Sequence, residues 1–253
     1  MIGYKELSEK IIFSFEDAKE IFKKDSTTYS ALRRLVKKGL MMKIRSNLYS
    51  CVNASTGYIY ANKFQIASNI NKSTYISHYS AFDFYGYTNQ VYNTVYVSSA
   101  SHFNSFEFDG IRYQYVKSTG DFGVYEPIHS KKIKVTDIER TIIDAIHHIE
   151  KISSLDELLN NMELVTEINE PKVLLYLKHY NTQSLYQKVG FILSLHQSRL
   201  NISSEFFEKL DQHIKKSVRY LNSESEYKGK YLSKFQLVVP SWILNEDNED
   251  LDQ

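Results

Sequence analysis

Between Ser26 and Gly39 the apolar side chains fall at Tyr29, Leu32, Leu35 and Val36, the spacing of one face of an α-helix. Ser26 brings a hydroxyl that can accept the free amide hydrogens of a first helical turn. Gly39 tolerates the left-handed backbone that ends a helix. The face away from the apolar stripe holds Thr27, Ser30, Arg33, Arg34, Lys37 and Lys38, which is four cations, two hydroxyls and no acid. After Gly39, Met42 and Ile44 alternate with Lys43 and Arg45, as in a half-buried strand, and Arg45-Ser46-Asn47 turns the chain into Leu48-Tyr49-Ser50. Upstream, Ser14 is placed to cap a helix carrying Ala18, Ile21 and Phe22, with Asp17 closing a capping box. Helix, turn, basic helix and hairpin is the order of a winged helix-turn-helix. In that motif the second helix enters the major groove of DNA.

The pattern changes after a short polar stretch, Asn53-Ala54-Ser55-Thr56-Gly57, which reads as a linker. A helix is expected through Phe64, Ile66, Ala67 and Ile70, and Tyr75–Phe82 leads into another that ends at Gly86. Strands are expected over Val91–Ser98, Phe106–Phe108, Ile111–Val116 and Lys131–Val135. Asp109-Gly110, between two of them, is a strong hairpin signal. From Asp137 the periodicity turns helical. Ile142, Ile143, Ala145, Ile146 and Ile149 make one apolar helix, and Leu155, Leu158, Leu159 and Met162 the next. Val173, Leu174 and Leu177, then Val189, Phe191, Ile192 and Leu195, continue the pattern, and a late strand Phe235–Val239 precedes Pro240. Antiparallel strands and helices without βαβ alternation predict an α+β fold. The expected organisation is a winged helix-turn-helix over 1–56, a larger mixed α+β domain over 57–245 with a helix-rich C-terminal half, and an acidic, disordered tail over 246–253.

Charge sharpens this picture. The chain has a formal net charge of only +1, but from Met1 to Val52 eleven cations face six acids, a surplus of five. The remainder therefore carries a deficit of four, ending in Glu246, Asp247, Glu249, Asp250 and Asp252. A basic head on a neutral to acidic body suits nucleic acid at the head. Cys51 is the lone cysteine, which excludes an intramolecular disulfide and a cysteine-cluster zinc site. No stretch reaches the roughly 18 apolar residues of a membrane span. Lys5, Glu6, Glu9 and Lys10 around a short apolar run do not make a signal peptide, so a cytoplasmic protein is expected. The twenty tyrosines and fourteen phenylalanines are read mainly as core and interface. An aromatic, charge-mixed surface on the C-terminal half would suit a protein or RNA partner.

Candidate chemistry elsewhere reads as structure. Asp137, Glu139, Arg140 and Asp144 offer three carboxylates near an arginine. Yet Asp137 stands where a helix cap belongs, Glu139 lies in the first turn, and Arg140 and Asp144 are four apart and can pair. His147 and His148 are adjacent and face different sides of a helix. His78 beside Ser77 and Ser80 lacks an acid at a telling spacing. Glu226-Tyr227-Lys228 has no strand-borne aspartate before it, and Asp109-Gly110 and Gly120-Asp121-Phe122-Gly123 are turns rather than phosphate loops. No catalytic residue, metal or cofactor is expected.

Several segments together resemble the AbiEi family, the antitoxins of bacterial type IV toxin–antitoxin systems linked to phage abortive infection. They are Arg34–Gly39, Asn47-Leu48-Tyr49, Ile76–Ala81, Val135-Thr136-Asp137-Ile138-Glu139-Arg140-Thr141-Ile142-Ile143-Asp144, Leu185–Leu193 and the late strand ending at Pro240. Many family wings carry glycine where this chain has Asn47, the next-best residue for a positive φ. The resemblance implies an N-terminal winged helix that binds inverted repeats in the promoter of its own operon and represses it. It also implies a C-terminal domain that counters a nucleotidyltransferase-type toxin without a stable complex, with Arg140 a candidate for the antitoxin surface. The partner expected of the first domain is double-stranded DNA. Its contacts are expected from Thr27, Thr28, Ser30, Arg33, Arg34, Lys37 and Lys38 on the helix and from Lys43, Arg45 and Asn47 on the wing. The alternatives are a stand-alone winged-helix regulator whose body senses a ligand or oligomerises, and an enzyme acting on nucleic acid.

Overall fold

The computed structural model describes residues 3–152 and 154–244. Contacts divide the chain into two compact units that interleave along the sequence. Met1–Ile76, Asn93–Ser118 and Val124–Val135 form the first; Ser77–Tyr92, Thr119–Gly123 and Thr136–Gln253 form the second. The first unit thus runs past the linker expected at 53–57. The expected tail over 246–253 lies outside the described residues. Helices and strands mix in both units, and the class is α+β.

The first unit opens with α1 (Tyr4–Glu9), β1 (Ile12–Phe13), α2 (Phe15–Phe22), α3 (Asp25–Lys37), β2 (Met41–Arg45) and β3 (Leu48–Cys51). The three strands form an antiparallel sheet in the order β1-β3-β2. Ser14 caps α2 as expected: its Oγ accepts from the Asp17 amide at 3.1 Å, and the Asp17 carboxylate accepts from the Ser14 amide at 2.8 Å. Gly39 follows α3 at φ +68°. Leu7, Phe13, Ala18, Leu32, Leu35, Met41 and Cys51 close one core, so the three helices and the sheet are held by one another's apolar faces. Burying each leucine contributes about 1.5–3 kcal/mol. The cap of α3 differs from expectation. Its N-cap is Lys24, without a side-chain hydrogen bond, and Ser26 sits inside the first turn.

The rest of this unit comprises α4 (Lys63–Ser68), β4 (Tyr75–Ile76), β5 (Thr94–Ser99), β6 (Phe106–Phe108), β7 (Ile111–Lys117), β8 (Val124–Tyr125) and β9 (Val135–Thr136), whose last residue falls to the second unit. One six-stranded sheet runs β6-β7-β5-β4-β9-β8. β6–β7 and β4–β5 are antiparallel, but β5–β7 and β4–β9 are parallel, so the sheet is mixed and not the antiparallel one expected. Asp109 and Gly110 turn β6 into β7 with φ of +51° and +72°. Two successive positive φ values define the hairpin turn for which Asp-Gly is suited. α4 stops at Ser68, short of Ile70.

The second unit holds α5 (Tyr79–Tyr85), α6 (Ile138–His147), α7 (Leu155–Leu164), α8 (Glu170–Tyr180), α9 (Gln183–Ser194), α10 (Gln197–Leu200), α11 (Ser204–Asp211) and α12 (Ser225–Lys228). A small sheet, β10 (Arg219–Tyr220), β11 (Gly229–Leu232) and β12 (Leu237–Pro240), runs β10-β12-β11. α6 is the hub, buried from Glu139 to Ile146 and packed on α5, α7, α8 and α9. α9 is buried almost all round through Leu185, Val189, Phe191, Ile192 and Leu193. The late strand starts at Leu237, after Gln236 turns at φ +50°, and takes in Pro240. Among the described residues no helix is long and apolar enough to cross a membrane.

Candidate nucleic-acid interface

The face that α3 turns to solvent follows from the face that it buries. Thr28, Ala31, Leu32 and Leu35 are buried, at the i, i+3, i+4, i+7 spacing of one stripe. Thr27, Ser30, Arg33, Arg34, Lys37 and Lys38 are all exposed, as the sequence predicts. Three assignments move. Thr28 is fully buried, with its Oγ1 donating to the Lys24 carbonyl at 2.8 Å, so it leaves the set of candidate contacts. Tyr29, read from sequence as core, is 63% exposed, with its ring 4.3 Å from that of Phe15. Val36, also expected in the stripe, is 38% exposed. The one acid of α3 is Asp25 in its first turn, which pairs with Lys19 of α2 at 2.7 Å. That pair offsets a charge that would otherwise repel phosphate.

The hairpin after α3 returns through Ser46 and Asn47, with Arg45 opposite Leu48. Asn47 takes φ +62°, as expected for the residue standing in place of glycine. Its side-chain oxygen accepts from the Phe15 amide at 2.8 Å, so it ties the hairpin to the start of α2. The expected strict alternation fails at a register shift between Lys43 and Arg45. Met41 and Ile44 are buried, while Met42 and Lys43 are both exposed. Arg45 is half-buried, its guanidinium 4.7 Å from the Phe106 ring centre and 5.5 Å from that of Phe103. Burial pushes its pKa down, and its Nη1 is buried with no hydrogen-bond partner. Arg45 therefore anchors the hairpin on an aromatic pair instead of reaching out. Lys43 is the hairpin's exposed cation.

The exposed cations of this surface are thus Arg33, Arg34, Lys37, Lys38 and Lys43. Arginine reads guanine in pairs of hydrogen bonds, and lysine meets phosphate as a point charge. Charge across the whole unit agrees. Its residues include eighteen lysines and arginines against nine acids, and the formal net charge of +1 leaves the second unit eight acids in excess.

The candidates around α6, with His78, lie in the second unit, most of them in its interior. Asp137 caps α6, accepting from the Arg140 amide at 3.0 Å. Arg140 and Asp144 pair at 3.0 Å with side chains 1% and 2% exposed. The same guanidinium donates to the Phe122 carbonyl at 2.7 Å and to Thr119 Oγ1 at 2.5 Å, and lies 3.9 Å from the Phe122 ring centre. Tyr180 donates to the second oxygen of Asp144. Arg140 is therefore no surface residue, and the antitoxin surface expected of it is corrected: burial and its bonds to Asp144, Phe122 and Thr119 make it a clip. His78 is fully buried at φ +55°, its Nδ1 2.8 Å from Ser77 Oγ and its Nε2 3.0 Å from His148 Nδ1. Burial pushes its pKa down to about 4, so the ring is neutral. Among the described residues no three His, Cys, Asp or Glu side chains are placed to hold a metal ion.

Neither a protein-family model nor a curated protein matches the chain. A solved structure is similar to it: the RV2827C protein from Mycobacterium tuberculosis superposes with a TM-score of 0.64 at 13% identity, over 93% of this chain and 89% of that one. At that identity the likeness speaks for the fold alone.

Proposed function

We propose that the first unit carries a winged helix-turn-helix that reads duplex DNA. On this reading the chain is a cytoplasmic autorepressor and antitoxin of the AbiEi kind, acting at inverted repeats in its own promoter. The observation that carries the reading is the exposed face of α3. Arg33, Arg34, Lys37 and Lys38 stand on it free of acids, while Ala31, Leu32 and Leu35 fix the opposite face in the core. α3 plays the recognition helix and β2–β3 the wing. Arg33 and Arg34 read bases; Lys37, Lys38 and Lys43 neutralise phosphates; Thr27 and Ser30 supply hydroxyl contacts near the helix start. Tyr29 joins them, its ring held by Phe15 and free to meet a thymine methyl group.

The antitoxin half of the proposal rests on the resemblance of Val135–Asp144 and the segments around it to the AbiEi family. Most of the residues that carry that resemblance are buried, Glu139 at 5%, Arg140 at 1% and Asp144 at 2%. The surface that opposes a nucleotidyltransferase toxin therefore lies elsewhere on the second unit, held in shape by this segment.

Fluorescence anisotropy on the DNA upstream of the chain's own gene, with an unrelated duplex as control, tests the reading. The wild-type chain prefers its own promoter. Replacing Arg33 and Arg34 by alanine costs about 1–3 kcal/mol for each base that they read and erodes that preference. Unchanged promoter affinity in the double variant would remove both arginines and with them the proposed reading helix.

A further inference from the structure

The second unit is acidic as a whole, yet residues 213–234 carry Lys215, Lys216, Arg219, Lys228, Lys230 and Lys234 against only Glu224 and Glu226. This basic island coincides with the small sheet β10-β12-β11. Arg219 and Lys230 lie on its two edge strands, Lys228 and Lys234 flank the ends of β11, and Lys215 and Lys216 precede β10. The register places Tyr220 and Tyr231 opposite the same residue, Val238. Residues opposite one another across strands share a face. Tyr220, Val238 and Tyr231 therefore form a row across that face.

The two faces of this sheet differ sharply. Leu232, Leu237 and Val239, which alternate with the row, are buried at 0–1% exposure and belong to the core. On the other side Tyr220 is 47% exposed and Tyr231 44%, with Val218 at 44%. Tyr227, in α12 just before β11, is 85% exposed. With strands about 4.8 Å apart, the two edge tyrosines stand roughly 10 Å from one another, each with a ring available to one planar partner.

We propose that this face binds single-stranded RNA. The tyrosine rings stack on successive unpaired bases, and the flanking lysines meet the phosphates. Charge complementarity selects a polyanion over an apolar helix, since Lys215, Lys216, Lys228 and Lys234 flank a short aromatic row, against two acids; Arg219 and Lys230, opposite Leu237 and Val239, belong to the other face. Stacking excludes duplex DNA, whose base faces are hidden in the stack, whereas RNA loops and ends display theirs. The site is separate from the basic face of α3 and stands without it.

Anisotropy of the full chain with an unstructured, labelled RNA of about twelve nucleotides tests the site, with a DNA strand of the same sequence and the promoter duplex in parallel. The expected result is saturable RNA binding that weakens at least tenfold in Tyr220→Ala/Tyr231→Ala and returns in Tyr220→Phe/Tyr231→Phe, which keeps the rings. Lys215→Glu/Lys216→Glu weakens it as well. Duplex affinity stays unchanged in all of them, so failure here is distinguishable from failure of the α3 interface. RNA affinity that is absent or indifferent to the alanine pair would overturn the proposal. So would tighter binding of the DNA strand, or a dimer of the wild-type chain that the alanine pair abolishes, since the face would then meet a second copy.

Discussion

Arg45 and Thr28 show how far single residues could be read from the chain. Arg45 follows a basic strand at a turn, the position of a wing tip, yet its guanidinium lies over Phe106 and Phe103, residues some sixty positions away that local pattern does not reach. Thr28 and Tyr29 exchange roles for a chemical reason. A hydropathy pattern counts tyrosine as apolar and threonine as polar. Here the threonine hydroxyl is satisfied by the Lys24 carbonyl one turn back, so Thr28 can be buried, and the tyrosine ring is left outside. Ser14, Asp17, Asn47 and Gly39 were legible because caps and positive φ values are local. His78 carries a prediction at this scale. An unfolded histidine titrates near 6.5 and buried His78 near 4. Between those values the unfolded chain takes up a proton that the folded chain refuses. Stability is therefore full above about pH 6.5 and declines as the pH falls toward 4, by on the order of 3 kcal/mol from this residue. Urea denaturation at neutral and acidic pH checks it: His78→Asn should lose less on acidification than the wild type, and an equal loss would contradict the assignment.

At the scale of elements, α6 is held by what its own sequence states and by what it does not. The Asp137 cap and the Arg140–Asp144 pair follow from spacing. Their remaining partners, Thr119 and Phe122 from a crossing loop and Tyr180 from α8, are long-range and have no sequence signature. Gly123 closes that loop so tightly that a Cβ there would lie 2.9 Å from the Arg140 Cβ. Removing the cation alone leaves Asp144 charged, buried and unpaired. Arg140→Met should cost about 3–5 kcal/mol, and the double replacement Arg140→Met/Asp144→Leu less. Denaturant titration decides it; a single variant as stable as the wild type would mean that the clip holds nothing. The strands were less legible than the helices. Period-two patterning gives the face of a strand but not its neighbour. The parallel pairing of β5 with β7 and of β4 with β9 was for that reason beyond the sequence.

At the scale of the whole molecule, charge follows the compact units more closely than it follows chain order. The surplus of five cations visible over residues 1–52 grows to nine once Lys63, Lys72, Arg112, Lys117, Lys131, Lys132 and Lys134, and the acids Glu107, Asp109 and Glu126, are counted with the unit to which they fold. The α+β class was legible because helical and alternating stretches do not repeat as βαβ. The interleaving of the two units was not, because the segments that change unit are short and carry no linker composition. On the proposed reading, electrostatic attraction to phosphate dominates duplex binding by so basic a head, and salt is its most direct probe. The measurement to make is the affinity of the full chain for the DNA upstream of its own gene across a salt series, beside an unrelated duplex. Five cations on α3 and the wing neutralising about five phosphates predict a slope of log affinity against log salt near −4.5, with the promoter favoured at every salt concentration. A slope near zero, or equal affinity for the two duplexes, would contradict the account of this unit as a reader of its own operator.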